Sequence, residues 1–216
     1  MVQMGRNPAI ETYAKRYGDI EFERRGLFAL LRSSLGEQRV LYPASAMHVT
    51  PSFYFREVVY VDISPESAQF FSNPQDVLEL IDRNRVYRGR VSWQFLNSDF
   101  RNELPFRASS FDLLLSVYAG QLVDSVLRYL KRDGLILTRD AAQDAAALRR
   151  RGCEPELGIV ARDGRYRSDR PGACRSGRKG APRTGLRRDR GKLVFRDNDC
   201  YCLFRAPQAH PHALSR

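Results

Sequence analysis

Five short apolar runs, all before residue 141, constrain the fold of this chain more than any other feature. They are RVLY (39–42), EVVYVDI (57–63), VSWQFL (91–96), FDLLLSVY (111–118) and GLILTRD (134–140). EVVYVDI is a continuous β-branched run, the pattern of a strand covered on both faces. Helical signals lie between the runs. Ser64-Pro65-Glu66 supplies an N-cap, a proline at the first helical position and an early acid, and Asn73-Pro74 interrupts the helix that follows. Residues 75–83 then place Val77, Leu78 and Ile81 on one face, and QLVDSVLRYLKRDG (121–134) places Leu122, Val126, Tyr129 and Leu130 on a stripe closed by Lys131, Arg132 and a turn at Gly134. Strands alternating with helices predict a parallel sheet with crossovers, the doubly wound α/β class.

The two ends are different. Residues 7–37 read as two short helices, with Ile10, Tyr13 and Tyr17 on one stripe and Phe22, Leu27, Leu30 and Leu31 on the other, a prelude expected to cover an edge or roof a pocket. After residue 140, AAQDAAALRRR is helical, while ELGIVARDGRY and KLVFRDNDCYCLFR read as two strands of a C-terminal antiparallel hairpin. The organisation predicted is a helical segment over 1–38, a core domain over 39–162, a basic mobile connection over 163–192, and a final strand and tail of the same domain over 193–216.

The net charge of +11 belongs to one segment. Residues 1–148 hold 18 Lys+Arg and 18 Asp+Glu, residues 149–192 hold 15 and 5 for +10, and residues 193–216 hold 3 and 2 for +1. Clustered arginines release counterions from a phosphate backbone and stack on bases, so nucleic acid is the partner class this segment suggests. No amphipathic helix accompanies the charge, so no membrane partner is expected. The N-terminus has polar residues where a signal peptide needs its apolar stretch, which makes a cytoplasmic location the expectation. Cys153, Cys174, Cys200 and Cys202 form no C-x-x-C pair. They read as free thiols, with no metal site.

Ligands of open parallel sheets bind at the carboxyl ends of the strands, where the strand order switches. Asp62 ends the second run, where an acid can accept from both hydroxyls of a ribose. Asp99-Phe100 follows the third, where an acid can accept from an adenine amino group while the ring covers the base. Ser116 to Tyr118 ends the fourth, and the Pro43 to His48 turn ends the first.

DFRNELPFRASSFDLLLSV (99–117) resembles the class I S-adenosylmethionine-dependent methyltransferase pattern, in which an acid, a Leu-Pro-Phe and a Ser-Phe-Asp opening the fourth strand occur in that order. LRYLKRDGLILT (127–138) resembles the helix, Lys-x-Gly-Gly turn and fifth strand that follow, with Asp133 where the first glycine commonly stands. With VLYPASA and VVYVDI the resemblance covers roughly residues 39–140. It implies a Rossmann-like, seven-stranded, mostly parallel sheet, S-adenosylmethionine as cofactor and methyl transfer to an acceptor the sequence does not name.

Carried over, the resemblance places Ala44, Ser45 and Ala46 at the methionine end of the cofactor. Asp62 falls at the ribose, Asp99 and Phe100 at the adenine, and Ser116 on the open side. His48 and Tyr118 are the candidate acceptor contacts. The family usually has an acid two residues before a Gly-x-Gly turn; here Tyr42 stands for the acid, and Ala44 and Ala46 for the glycines. Glycine serves such a turn because the backbone takes positive φ and approaches a ligand without a Cβ, and alanine costs about 1 kcal/mol or somewhat more if φ is positive. The stretch 44–56 leaves room for only one or two helical turns, beginning at Thr50-Pro51-Ser52. Two other readings stay open: a methyltransferase-like binding module without catalysis, holding nucleic acid through 149–192, and a nicotinamide-dependent dehydrogenase. The second predicts Asp62 but gives no reason for the series from Asp99 to Asp112.

Overall fold

A computed structural model describes residues 7–117, 123–139, 144–171 and 184–207. Its main sheet has eight strands in the order β3-β2-β1-β4-β5-β10-β6-β7. The first five are β1 (Arg39–Pro43), β2 (Glu57–Asp62), β3 (Ser92–Asn97), β4 (Phe111–Ser116) and β5 (Leu130–Arg139). All five run parallel, and the order reverses between β1 and β4. The other three, β6 (Glu154–Arg162), β7 (Arg165–Asp169) and β10 (Cys200–Arg205), are antiparallel to their neighbours. The doubly wound expectation therefore holds, and β7 adds an edge strand to the seven predicted.

Side chains alternate across this sheet with the period of two that strands impose. Val40, Tyr42, Val58, Tyr60, Leu113 and Leu115 enter one apolar layer, and Leu41, Val59, Val61, Leu114 and Ile136 enter the other. The first layer is covered by α1 (Pro8–Tyr13), which continues as a π turn over Ala14–Gly18, and by α2 (Arg25–Leu35). Ala9, Tyr13, Tyr17, Leu27, Phe28 and Leu31 are the buried residues of that cover. α3 (Pro51–Tyr54) is a single turn, as the short interval predicts, and α4 (Pro65–Phe71) and α5 (Pro74–Asn84) follow β2. Ser64 caps α4 by accepting from the Ser67 N–H, and Asn73 caps α5 by accepting from the Gln75 N–H.

The β4–β5 crossover departs from the sequence reading. Among the described residues of this crossover, α6 (Val123–Val126) and a 3₁₀ turn over Leu127–Tyr129 precede β5, which begins at Leu130. Leu130 pairs with Phe111, while Leu135 pairs with Leu113, so Lys131 to Gly134 form a bulge where a helix end was expected. Strand β10 explains this, because the Ala206 N–H donates to the Gly134 carbonyl and the Arg205 guanidinium to the Asp133 carbonyl. The other layer is completed by α7 (Asp144–Arg150).

The connection expected over 163–192 is partly strand. β7 falls within it, and β8 (Gly185–Asp189) pairs with β9 (Lys192–Arg196) as a separate two-stranded hairpin. Residues 172–183, with Cys174, lie outside the described residues. Among the described residues no cluster of metal-ligating side chains occurs, no helix is long and apolar enough to cross a membrane, and Cys153 is a buried free thiol.

Candidate functional site

The carboxyl ends of β1, β2, β3 and β4 come together at the reversal of strand order, where a doubly wound sheet leaves its crevice. After β1 the backbone turns left-handed twice, at Ala44 (φ 50°) and Ala46 (φ 46°). These are the positions at which the resemblance expects glycines, so the turn keeps a glycine-type path with a methyl at each place. Hydrogen bonds hold it there. The Ser45 N–H donates to the Val61 carbonyl (3.4 Å), the His48 N–H to the Ser45 carbonyl (3.1 Å), and the Ala46 N–H to Oδ2 of Asp62 (2.8 Å).

Asp62 is thus a brace between two strand ends. Its Oδ1 accepts from the Ser64 N–H at 2.8 Å. Each carboxylate oxygen accepts one of these hydrogen bonds, and a carboxylate offers about four acceptor sites, so capacity remains for hydroxyl donors. Beside it Ile63 stands 65% exposed, one of few large apolar side chains left open to solvent. The sequence reading missed Ile63; an apolar residue placed just past the acid at the end of a buried strand was the available signal.

Asp99, after β3, is engaged locally. Its carboxylate accepts from the Arg101 backbone N–H and from Nε at 2.9 Å each, and from Nη2 at 2.5 Å. Arg101 consequently holds the Asp99 carboxyl below the usual carboxylate range. The adenine contact expected of Asp99 would compete with that fork. Phe100 is half-buried and packs on the layer containing Leu41, Val59 and Val61.

Three expectations need correction. Ser45 is fully buried and its hydroxyl donates to the Ala46 carbonyl, so it shapes the turn from inside. Ser116 is also fully buried, and its hydroxyl donates to Oδ2 of Asp144, itself fully buried on α7. Oδ1 of Asp144 has no hydrogen-bond partner. Nothing in AAQDAAALRRR marks that aspartate as buried, since the helix pattern alone would leave it in solvent. His48, the third, cannot meet a substrate from where it lies. It is enclosed by Tyr17, Phe28 and Tyr42, with Nδ1 3.1 Å from the Tyr42 hydroxyl and Nε2 3.0 Å from the Glu23 carbonyl and 3.1 Å from Thr50 Oγ1. A carbonyl only accepts, so Nε2 carries the proton and Nδ1 accepts from Tyr42. Burial, reinforced by the Arg24 charge, lowers the His48 pKa to about 3. Tyr118 lies outside the described residues.

Next to the turn a cleft of about 650 Å³ opens between α1 with its π turn and α4 with the start of α5. Ala9, Met47 and Phe70 form its apolar part, Lys15 and Arg16 one set of charges, and Glu66 and Asp76 the other. Met47 follows Ala46 directly, so the cleft and the turn are contiguous.

No protein-family model matches this chain, and no curated protein does. Solved structures do. YcgJ from Bacillus subtilis is 15% identical, with a TM-score of 0.50 over 85% of this chain and 98% of that one. The N-methyltransferase NodS from Bradyrhizobium japonicum is 14% identical, with a TM-score of 0.48 over 87% and 97%. A methyltransferase from Bacillus halodurans, described as putative, is likewise 14% identical, with a TM-score of 0.48 over 85% and 98%. The chain shares its fold with YcgJ. In this fold the parallel strands β3-β2-β1-β4-β5 carry the crevice described above, and β10, β6 and β7 form the antiparallel end of the sheet.

Proposed function

We propose that this chain binds S-adenosylmethionine across the ends of β1, β2 and β3 and transfers its methyl group to an acceptor held in the cleft beneath α1. The observation that carries the reading is the turn after β1, where two alanines are held left-handed and one of their N–H groups is tied to the acid after β2. That path brings backbone close to a ligand lying over the strand ends.

The nucleoside end of such a ligand fits the residues present. Asp62 accepts from ribose hydroxyls with its remaining lone pairs, Ile63 offers an apolar face to the base, and Phe100 lies beside them. The methionine end is met differently. Tyr42 stands where an acid would hold the amino group, but it is fully buried with its hydroxyl on His48. Tyr42 itself supplies no negative charge, so the ammonium is left to backbone carbonyls of the Ala44–Ala46 turn. Affinity for the nucleoside is expected to dominate.

When bound, the cofactor supplies a methyl group already activated on a sulfonium. The chain then has to position the acceptor in line and exclude water. The cleft suits the first task, with apolar Met47 and Phe70 near the turn and charges of both signs along its walls. Calorimetry with S-adenosylmethionine, S-adenosylhomocysteine and adenosine tests the reading. Comparable heats for all three, abolished by Asp62→Ala in a folded variant, are expected. Absence of heat at millimolar ligand with the protein folded refutes it.

A further inference from the structure

The arginine-rich part of the chain, expected to be mobile, contributes two hairpins that share one base. The Gly164 N–H in the β6–β7 turn donates to the Asp197 carbonyl (3.1 Å), and the Asp163 N–H donates to Oδ1 of Asn198 (3.0 Å). The Asn198 N–H in turn donates to Thr184 Oγ1 at the start of the β8–β9 hairpin (2.9 Å). Both hairpins are anchored to the same stretch of the N-terminal segment. The Phe195 N–H donates to the Ile20 carbonyl (2.6 Å), Phe195 packs edge-on against Phe22, and Tyr166 lies against Gly26.

Arg162, Arg165 and Arg167 of the first hairpin and Arg188, Arg190 and Lys192 of the second are all exposed, and none has an ion-pair or hydrogen-bond partner for its charge among the described residues. Asp163, exposed in the β6–β7 turn, is an acid within this surface, while two other nearby acids are engaged elsewhere. Asp197 is buried against Arg24, Tyr166 and Tyr201, and Asp189 pairs with Arg196. Cations on an edge strand such as β7 deter unwanted pairing, which accounts for Arg165 and Arg167 alone. It does not account for the second hairpin, which is not part of that edge.

We infer that the two hairpins form a binding surface for single-stranded RNA. Five of the six cations are arginine, whose planar fork bonds phosphate with two N–H groups and stacks on bases, where lysine offers a point charge. Leu186 and Leu193, 53% and 48% exposed, lie on the same hairpin face as Arg188 and give bases an apolar surface beside it, while Lys192, opposite Asp189, belongs to the other face. An anionic membrane would need a larger apolar face than two leucines. From Ile20 the chain runs back to Arg16 and Lys15 on the cleft wall, so the surface leads toward the proposed acceptor site; the inference itself does not depend on methyl transfer.

Fluorescence anisotropy with the full chain and a labelled single-stranded RNA of about twenty nucleotides tests it. The variants are Arg165→Glu/Arg167→Glu, Arg188→Glu/Lys192→Glu and, as a control of equal charge change, Arg88→Glu/Arg90→Glu on the far end of the sheet. Each of the first two pairs is expected to weaken binding at least about tenfold near 100 mM salt, and the control less than about twofold. The log–log salt slope of the unaltered protein is expected near −3.5, about −0.7 for each of some five phosphates. Equal losses in all three pairs would mean only net charge is sensed, and would overturn the surface. So would a slope shallower than about −1.5, absence of RNA binding, or binding to phosphatidylserine vesicles in preference to RNA. Unchanged circular dichroism and melting temperature show that the variants, all at exposed positions, remain folded.

Discussion

Replacing His48 should flatten the acid sensitivity of this protein. The imidazole sits where Tyr17, Phe28 and Tyr42 exclude water, and it is the neutral form that makes the hydrogen bonds to Tyr42 and Glu23. Its folded pKa near 3 lies below the ordinary value of 6.5. The unfolded chain therefore binds a proton that the folded chain refuses, and stability falls as pH drops through 6.5 toward 3. Between about pH 7 and pH 5 this one group removes about 2 kcal/mol, because 1.5 pH units below the unfolded pKa are worth 1.36 kcal/mol each. The same loss at pH 5 follows for any folded value at or below 4, so the result is insensitive to how far burial carries the shift. Urea unfolding at a series of pH values, on the unaltered chain and on His48→Asn, isolates the term. The asparagine variant will be less stable at neutral pH, yet its decline from pH 7 to 5 should be shallower by about 2 kcal/mol. Parallel declines in the two proteins would refute the argument, and would mean that His48 is protonated, or reached by water, in the folded state.

Three further outcomes follow from the same geometry. Ala44→Gly/Ala46→Gly should raise the urea midpoint, since relief of two left-handed alanines at about 1–2 kcal/mol each exceeds the added chain entropy of about 0.5–1 kcal/mol each; a fall of the midpoint would show that the methyls are packed. Asp62→Ala should cost about 1–3 kcal/mol by stranding the Ala46 and Ser64 N–H groups and should lower adenosine affinity, while Asp99→Ala, which releases only Arg101, should leave the urea midpoint essentially unchanged. Asp197→Ala removes the carboxylate that pairs with buried Arg24 and accepts from Tyr166 and Tyr201, so thermal denaturation should show a loss of about 3–5 kcal/mol, the largest of the set.

Strands β1 to β4 were legible because their signal is local. A two-sided apolar run such as Val58 to Val61 has no other place in a folded chain, and its neighbours Ser64-Pro65 and Asn73-Pro74 carry their own helix starts. β5 was misread at its beginning for the opposite reason. Leu122, Val126, Tyr129 and Leu130 do have helical spacing, but the backbone of Asp133 and Gly134 is claimed by Arg205 and Ala206 from the far end of the chain. His48 failed in the same way. In its own loop it looks free, and the groups that bury it come from residues 13 to 28 as well as from Tyr42. Polar residues at strand ends are where sequence position and role separate most, since Asp62, Ser116 and Asp99 occupy equivalent places and bond respectively to backbone, to a buried acid and to an arginine.

The turn after β1 gains its meaning from a third position. Asp133, which stands where the resemblance expects another glycine, also has positive φ, at 56°. At these three of the eight non-glycine residues with positive φ among the described residues, the chain keeps the left-handed backbone where the resemblance expects glycine. Each instance is worth about 1–2 kcal/mol against folding, so the set opposes it by about 3–6 kcal/mol, and such strain persists only where the surroundings over-determine the shape. At Asp133 the surroundings are plain: β10 holds the bulge by its carbonyl groups, and the reason is structural. At Ala44 and Ala46 the restraints are Val61, Asp62 and the Ser45 carbonyl, all at the mouth of the crevice, and no distant strand requires the turn to take this path. A turn held at a sheet crevice by hydrogen bonds to the end of β2, with Asp62 retaining acceptor capacity beside it, is the arrangement the proposed cofactor site requires.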